Sequence, residues 1–350
     1  MIRILSLCAA LLIVASCAGE KADDLKWREV GFDALPDWAL DQPAQALAAF
    51  VASCQKPKHS AHALSSLISR SDWRTNCALA ERAAPQDAKL FFEREFTPYQ
   101  LYTDSRDTGL LTGYYIPVLQ GSMTRSARYH VPVYKAPAGN GSYSREEIEA
   151  GALANKGLEL LWVDDPVMLF FMHIQGSGRV MLPDGRMMGL QYHKQNGHGY
   201  TAIGRVLVDM GEMEMAELSL QSIRAWLYAN PKLASYVMNQ NPSYIFFTLN
   251  EAKEMAKGAM GIPLTAERSI AIDPTQVPYG MPVFVDTMVE DAGRRYPFRQ
   301  LLITQDTGGA IKGPLRGDIF FGEGDAAERR AGGQKQPGRW YILVPRKRHG

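Results

Sequence analysis

The chain has almost no net charge. Its 38 Lys and Arg balance 37 Asp and Glu, for a formal charge of +1 across 350 residues. Nucleic-acid binders usually carry a basic patch or stripe, so this balance gives no reason to expect a nucleic-acid partner. There is no acidic tail, low-complexity run or internal repeat, which argues against a disordered tail or a solenoid. The seven histidines form no ligand motif, and Cys54 and Cys77, the two cysteines outside the N-terminal segment, offer too few ligands for a metal site. Neither a metal nor another cofactor is expected. Apolar content is 46%, ordinary for a globular protein. The length suggests two domains with ample core material.

Long apolar runs are also scarce. Arg3 precedes one, Ile4 to Val14, which small residues follow. It is too short to span a bilayer and reads as a secretory signal. It ends Val14-Ala15-Ser16-Cys17-Ala18, which resembles a bacterial lipoprotein box. That likeness implies a signal over residues 1–17 and a mature start at Cys17, with a diacylglycerol thioether and an amide-linked acyl chain. Several acyl chains anchor stably where one does not. Ala18, rather than Asp, follows Cys17, which by likeness to sorted lipoproteins favours the outer membrane, facing the periplasm. The alternative is a secreted protein cleaved near Ala18. Cys8 leaves with the signal, so Cys54 and Cys77 remain as an even pair in an oxidising compartment. A disulfide between them is expected, with two buried free thiols as the alternative, because spacing does not prove proximity.

The most informative stretch is Ile303 to Gly324, ITQDTGGAIKGPLRGDIFFGEG. Apolar strand-like runs lead into Asp306 and out of Asp318, and glycines between them allow tight turns. A third acid, Asp273, ends another apolar run in SIAIDPTQVPYGMPVFVD. Asp beside Gly is also ordinary turn chemistry. Loops held on a rigid scaffold, however, are where chemistry tends to sit.

The combination IAIDP, PYGMPVFVD, QDTGGAIKG, RGDIFFGEG and AERRAG resembles the three-aspartate ("3D") domain of the membrane-bound lytic transglycosylase A family. The likeness runs from about residue 99 to 344. It implies a mainly β protein with some α: a double-psi β-barrel domain with a second, barrel-like β domain inserted and a groove between them. The expected division is 18–116 for the N-terminal part of the first domain, 117–240 for the insert and 241–350 for the C-terminal 3D part. By motif match Asp318 falls on the catalytic acid and base, with Asp306 and Asp273 as supporting aspartates. Thr112-Gly113-Tyr114-Tyr115 matches the family's TGYY element, and Gln175-Gly176-Ser177-Gly178 its QGSG loop. Thr112, Tyr115, Gln175, Gly176 and Ser177 are therefore expected to contact a glycan. Asn196-Gly197-His198 and Asn241-Pro242-Ser243-Tyr244 also match, though turn and helix-stop chemistry explains them as well; His198 reads as a structural hydrogen bonder. Lys312 is either a partner to the acids or a solvated loop lysine.

Pattern alone reads residues 18–30 as a polar tether. Helical spacing follows over 37–69, including 61–68, then over 73–84 and 88–95. Short strands follow, and Pro132 argues for an edge position. The run 167–174 is grouped with apolar strands, and Pro183-Asp184-Gly185 is a hairpin signal. Helices are expected over 200–210, 222–229 and 231–238.

The family resemblance implies cleavage of peptidoglycan strands at the MurNAc–GlcNAc β-1,4 bond, with 1,6-anhydro-muramyl ends. Cell-wall synthesis or division complexes are candidate partners. The tethered 6-hydroxyl of muramic acid is an intramolecular nucleophile. One carboxyl with a raised pKa can then act as acid and afterwards as base. The alternatives are a non-catalytic wall-binding lipoprotein and a hydrolytic muramidase, which needs two carboxyls. An aspartic protease, suggested by Asp306-Thr307-Gly308, needs an equivalent second aspartate. The second such triplet, Asp107-Thr108-Gly109, precedes an apolar strand rather than following one.

Overall fold

The computed structural model describes residues 24–139, 142–251 and 256–347. The expected signal segment and Cys17 lie outside the described residues. The chain opens with β1 (Lys26–Glu29), α1 (Ala44–Gln55), α2 (Arg70–Ala80), α3 (Ala88–Glu95), β2 (Phe96–Tyr102) and β3 (Gly109–Ile116). A middle section follows: β4 (Val118–Ser122), β5 (Val131–Tyr134), α4 (Arg145–Glu147), β6 (Glu159–Val163), α5 (Pro166–Gln175), β7 (Gly178–Met181) and β8 (Met187–Gln195). It continues with α6 (Ile203–Asp209), α7 (Leu220–Ala229), α8 (Pro231–Asn239) and β9 (Ile245–Glu251). The last section is β10 (Ser269–Ile272), β11 (Pro282–Asp291), β12 (Arg294–Asp306), β13 (Gly317–Glu323), α9 (Gly324–Gly333) and β14 (Lys335–Pro345).

The first and last sections build one sheet in the order β1-β2-β14-β11-β12-β10-β13-β3, and β14 pairs with β3 as well. The six strands from β14 round to β3 therefore close into a barrel of the double-psi type. Closure removes exposed edges. Residues alternate across the barrel wall, as the period of two requires. Val283 and Val285 point into a core with Tyr115, Ile270, Leu302 and Trp340. Phe284, between them, points outward and joins Leu301 and Tyr341 against Phe50, Phe92 and Phe96 of the helical block. One ion pair also ties that block to the barrel, and one disulfide braces it internally. Arg268 makes a buried two-pronged pair with Asp41 at 2.8 and 3.2 Å, and Cys54 and Cys77 are joined by a disulfide linking α1 to α2.

The middle section forms a second sheet, β5-β6-β4-β7-β8-β9. Strand β5, with Pro132, is at its edge, where a missing N–H costs no ladder bond. Gly185 takes φ 81° in the turn between β7 and β8, a conformation that favours glycine. Helix α5 lies between two apolar clusters: Leu169 and Met172 face the sheet, while Val167, Phe170 and Phe171 face α6 to α8.

Three expectations from pattern change, and so does one bound implied by the resemblance. Residues 26–29 of the expected tether form β1, which pairs antiparallel with β2. Residues 61–68 hold no helix, with turns over 63–67, and the next helix begins only at Arg70, capped by Ser69. The apolar run 167–174 is helix α5, started by Asp165, whose carboxyl accepts from the Val167 and Met168 amides, and by Pro166 at its first turn. A run apolar on all sides carries no period, so only these start signals separate helix from strand. The second sheet also runs past residue 240, since β9 pairs with β8.

Candidate active site

Strand β10 lies between β12, to which it is parallel, and β13, to which it is antiparallel. In this register Ala271 is opposite Asp306 on one side and Asp318 on the other. The small side chain leaves room above it, and all three residues line a cleft of about 650 Å³. One wall is the barrel's glycine-rich loop, Gly308 to Ile311, with Arg316. The other comes from the second sheet and its helices, including Gln175, Tyr192, Gln195 and Tyr200.

Asp318 is opposite Thr112 on the parallel strand β3. Thr112 Oγ1 donates to Asp318 Oδ1 at 2.6 Å. On the same face of β13, Phe320 packs with Tyr114 and Ala271. Burial drives the Asp318 carboxyl up to about 6; the Thr112 hydrogen bond and the Arg316 charge oppose the rise, and the Asp306 charge adds to it. The residue remains partly open to the cleft, so its carboxyl lies at the surface where a ligand would lie.

Asp306 is held differently. Its Oδ1 accepts from the amides of Ala259 at 2.8 Å and Thr307 at 2.9 Å, and its Oδ2 from the Tyr114 hydroxyl at 2.9 Å. Burial raises its pKa, and these three donors hold the rise back. Asp273 is buried away from the cleft. It accepts from the Thr275 amide and hydroxyl and, at 2.9 Å, from the Gly313 amide, so it pins the glycine-rich loop. Burial pushes its carboxyl up, but these hydrogen bonds and the Lys312 charge bring it below the usual value. Lys312 is exposed and acts only through that field.

Of the five expected glycan contacts only Gln175 lines the cleft; Thr112 meets Asp318 without itself lining it, and Tyr115, Gly176 and Ser177 need correction as well. Tyr115 is fully buried in the barrel, with its hydroxyl on Glu328 at 3.1 Å. Strand alternation turns its side chain away from the cleft and presents Tyr114 instead. In the QGSG loop Gln175 lines the cleft and accepts from the Tyr115 amide at 3.2 Å. Gly176 ends α5 in the left-handed conformation, and among the described residues neither it nor Ser177 lines the cleft. Asn196 is buried and braces the Tyr143, Pro242 and Tyr244 backbone. His198 reaches the cleft wall with Nε2 hydrogen-bonded to Ser142. Sequence reasoning missed Arg316, Tyr192 and Tyr200. It also missed buried Arg145, whose guanidinium meets His173 Nδ1 at 3.1 Å beside the cleft. Only Tyr114 had a signal, as the other tyrosine of the TGYY element. Among the described residues no cluster of His, Cys, Asp and Glu could hold a metal.

This geometry defines a class: a double-psi barrel with paired half-buried acids facing an inserted second sheet across an open cleft. A family model described as "MltA specific insert domain" matches residues 110–248, and one described as "3D domain" matches 268–344. The chain belongs to the membrane-bound lytic murein transglycosylase A family. It is 36% identical over 239 residues to membrane-bound lytic murein transglycosylase A of Escherichia coli K12. That alignment covers 66% of this chain and 64% of the relative's length. The crystal structure of a membrane-bound lytic murein transglycosylase from Agrobacterium tumefaciens superposes with TM-score 0.79 at 33% identity, covering 91% of this chain and 98% of the other. The structure of E. coli MltA with bound chitohexaose superposes with TM-score 0.74 at 28% identity, covering 93% and 95%.

Proposed function

We propose that this chain is a peptidoglycan lytic transglycosylase that cuts the MurNAc–GlcNAc β-1,4 bond and leaves 1,6-anhydro-muramyl ends. The single observation that carries the reading is Asp318, a carboxyl with its pKa pushed up to about 6 at the floor of a long open cleft. Protonated Asp318 donates to the glycosidic oxygen as the C1–O bond breaks. The resulting carboxylate then takes the proton of the muramic acid 6-hydroxyl as its oxygen bonds to C1. That hydroxyl belongs to the substrate, so no activated water or second catalytic carboxyl is required.

Asp306 holds its charge on three donors beside Asp318 and raises the affinity of Asp318 for its proton. Thr112 orients the acid. Asp273 acts through the loop it pins. Exposed Tyr192 and Tyr200 offer planar faces on the opposite wall, where sugar rings stack. The chitohexaose held by the E. coli relative supports a glycan in this cleft. In the same reading, lipidated Cys17 tethers the enzyme to the outer membrane facing the wall, where synthesis or division complexes are candidate partners.

The test is turnover of purified sacculi by wild type and Asp318→Asn, with sedimentation of each protein on the same sacculi. Loss of soluble products with binding kept supports the assignment. Undiminished release by the variant would refute it, and binding without release by the wild type would leave a wall-binding lipoprotein.

A further inference from the structure

A second cavity, of about 600 Å³, lies between α2, the turns before it and the start of β11. Helix α2 presents Arg70, Trp73, Arg74 and Cys77 to it. This spacing of three, four and seven puts them on one helix face. Lys58 and Tyr279 close the far side, with the ammonium 4.9 Å from the ring centroid. No acidic residue lines the cavity. Among the described residues Lys58, Arg70 and Arg74 form no ion pair, and the Trp73 indole N–H and His62 Nδ1 are buried without a partner. Three cations, two aromatic rings and unused hydrogen-bonding groups in one concave site suit a carboxylate-bearing ligand, because guanidinium groups recognise carboxylates with two parallel hydrogen bonds.

The cavity is close to the reaction site. Lys58 Nζ donates to the Ala259 carbonyl at 2.9 Å, and the Ala259 amide donates to Asp306 in the main cleft at 2.8 Å. The Lys58 charge also acts on Asp306. A group branching from a sugar bound near Asp306 would therefore pass towards the cavity.

We propose that this cavity is a subsite for the anionic stem peptide carried by muramic acid, with Arg70 and Arg74 holding its carboxylates. The proposal rests on the transglycosylase reading and assigns that enzyme a preference for peptide-bearing over peptide-free strands. Both arginines are exposed, so their substitution leaves the core intact.

The test compares the full-length protein with its Arg70→Gln/Arg74→Gln variant on sacculi glycan strands and on the same strands stripped of peptides by an amidase. The variant should lose at least about tenfold in kcat/KM on peptide-bearing strands, the equivalent of ~1.4 kcal/mol, and keep its rate on stripped strands. A free stem tetrapeptide titrated into Asp318→Asn should bind, and the binding should weaken when the two arginines are also replaced. Equal rates for wild type and variant on both substrates, or an equal loss on both, would overturn the subsite. So would a variant that releases normally but, in a Cys17→Ser background without the acyl anchor, no longer sediments with phosphatidylglycerol vesicles, which would assign the cavity to a lipid phosphate. Failure of the wild type on both substrates would instead defeat the transglycosylase reading.

Discussion

Thr112 Oγ1 donates a 2.6 Å hydrogen bond to Asp318 Oδ1 across the parallel strands β3 and β13. A hydroxyl donor stabilises the charged carboxylate, so this contact restrains the rise that burial imposes. Thr112→Val keeps the shape and removes the donor. The Asp318 pKa should rise further, and the alkaline limb of the pH–rate profile should move up with it. Orientation is lost as well, so kcat should fall about tenfold or more, the scale of ~1.4 kcal/mol. A limb that stays in place would show that Thr112 does not act through the acid.

The wild-type profile itself is fixed in sign. The reaction starts from protonated Asp318, so the rate should fall as pH rises through about 6. Stability follows the same group. Its folded pKa lies above the unfolded carboxylate value, so the native state binds more protons between about 4 and about 6. Its contribution is fully present below that window and is lost as pH rises through it. Denaturant titrations of wild type and Asp318→Asn should show the difference moving against wild type across the window and levelling off above it.

Asp306→Asn removes a charge that raises the Asp318 pKa. It also gives an amide to a site built from three donors. Turnover should drop without vanishing, and the alkaline limb should shift towards acid, opposite to Thr112→Val. Full activity with an unmoved limb would remove the supporting role.

The helical block is held to the barrel by Asp41, which also accepts from the Leu301 amide at 2.8 Å. Asp41→Ala leaves the Arg268 guanidinium buried without its carboxylate, and should cost roughly 3–5 kcal/mol of unfolding free energy. Cys54 and Cys77 close a loop of sequence separation 23 in the same block. Reduction should cost ~3 kcal/mol, read as a lower melting temperature. Melting unchanged by reductant would show that the cross-link adds nothing to global stability.

The acids were legible because each sits at the end of an apolar strand beside glycine turns, and these junctions are local. Their division of labour was implied only by the family resemblance and not by the residues themselves. Asp273 and Asp318 look alike in sequence. Only the fold turns Asp273 onto the Gly313 amide and Asp318 onto the cleft floor. Tyr114 and Tyr115 are neighbours of one type, and strand alternation sends one to Asp306 and the other into the barrel. Arg145 and Tyr200 reach the cleft from segments far from the aspartates, packed there by long-range contacts that leave no local pattern. The α5 run misled because burial on every side erases the period that separates helix from strand.

The central claim is that one carboxyl and the substrate's own hydroxyl suffice. Digesting sacculi in heavy-oxygen water, followed by mass analysis of the muropeptides, tests it most directly. Products one water lighter than hydrolytic muropeptides, carrying no heavy oxygen and absent with Asp318→Asn, are the expected result. Heavy oxygen at new reducing muramic acid ends would contradict it and identify a two-carboxylate hydrolase.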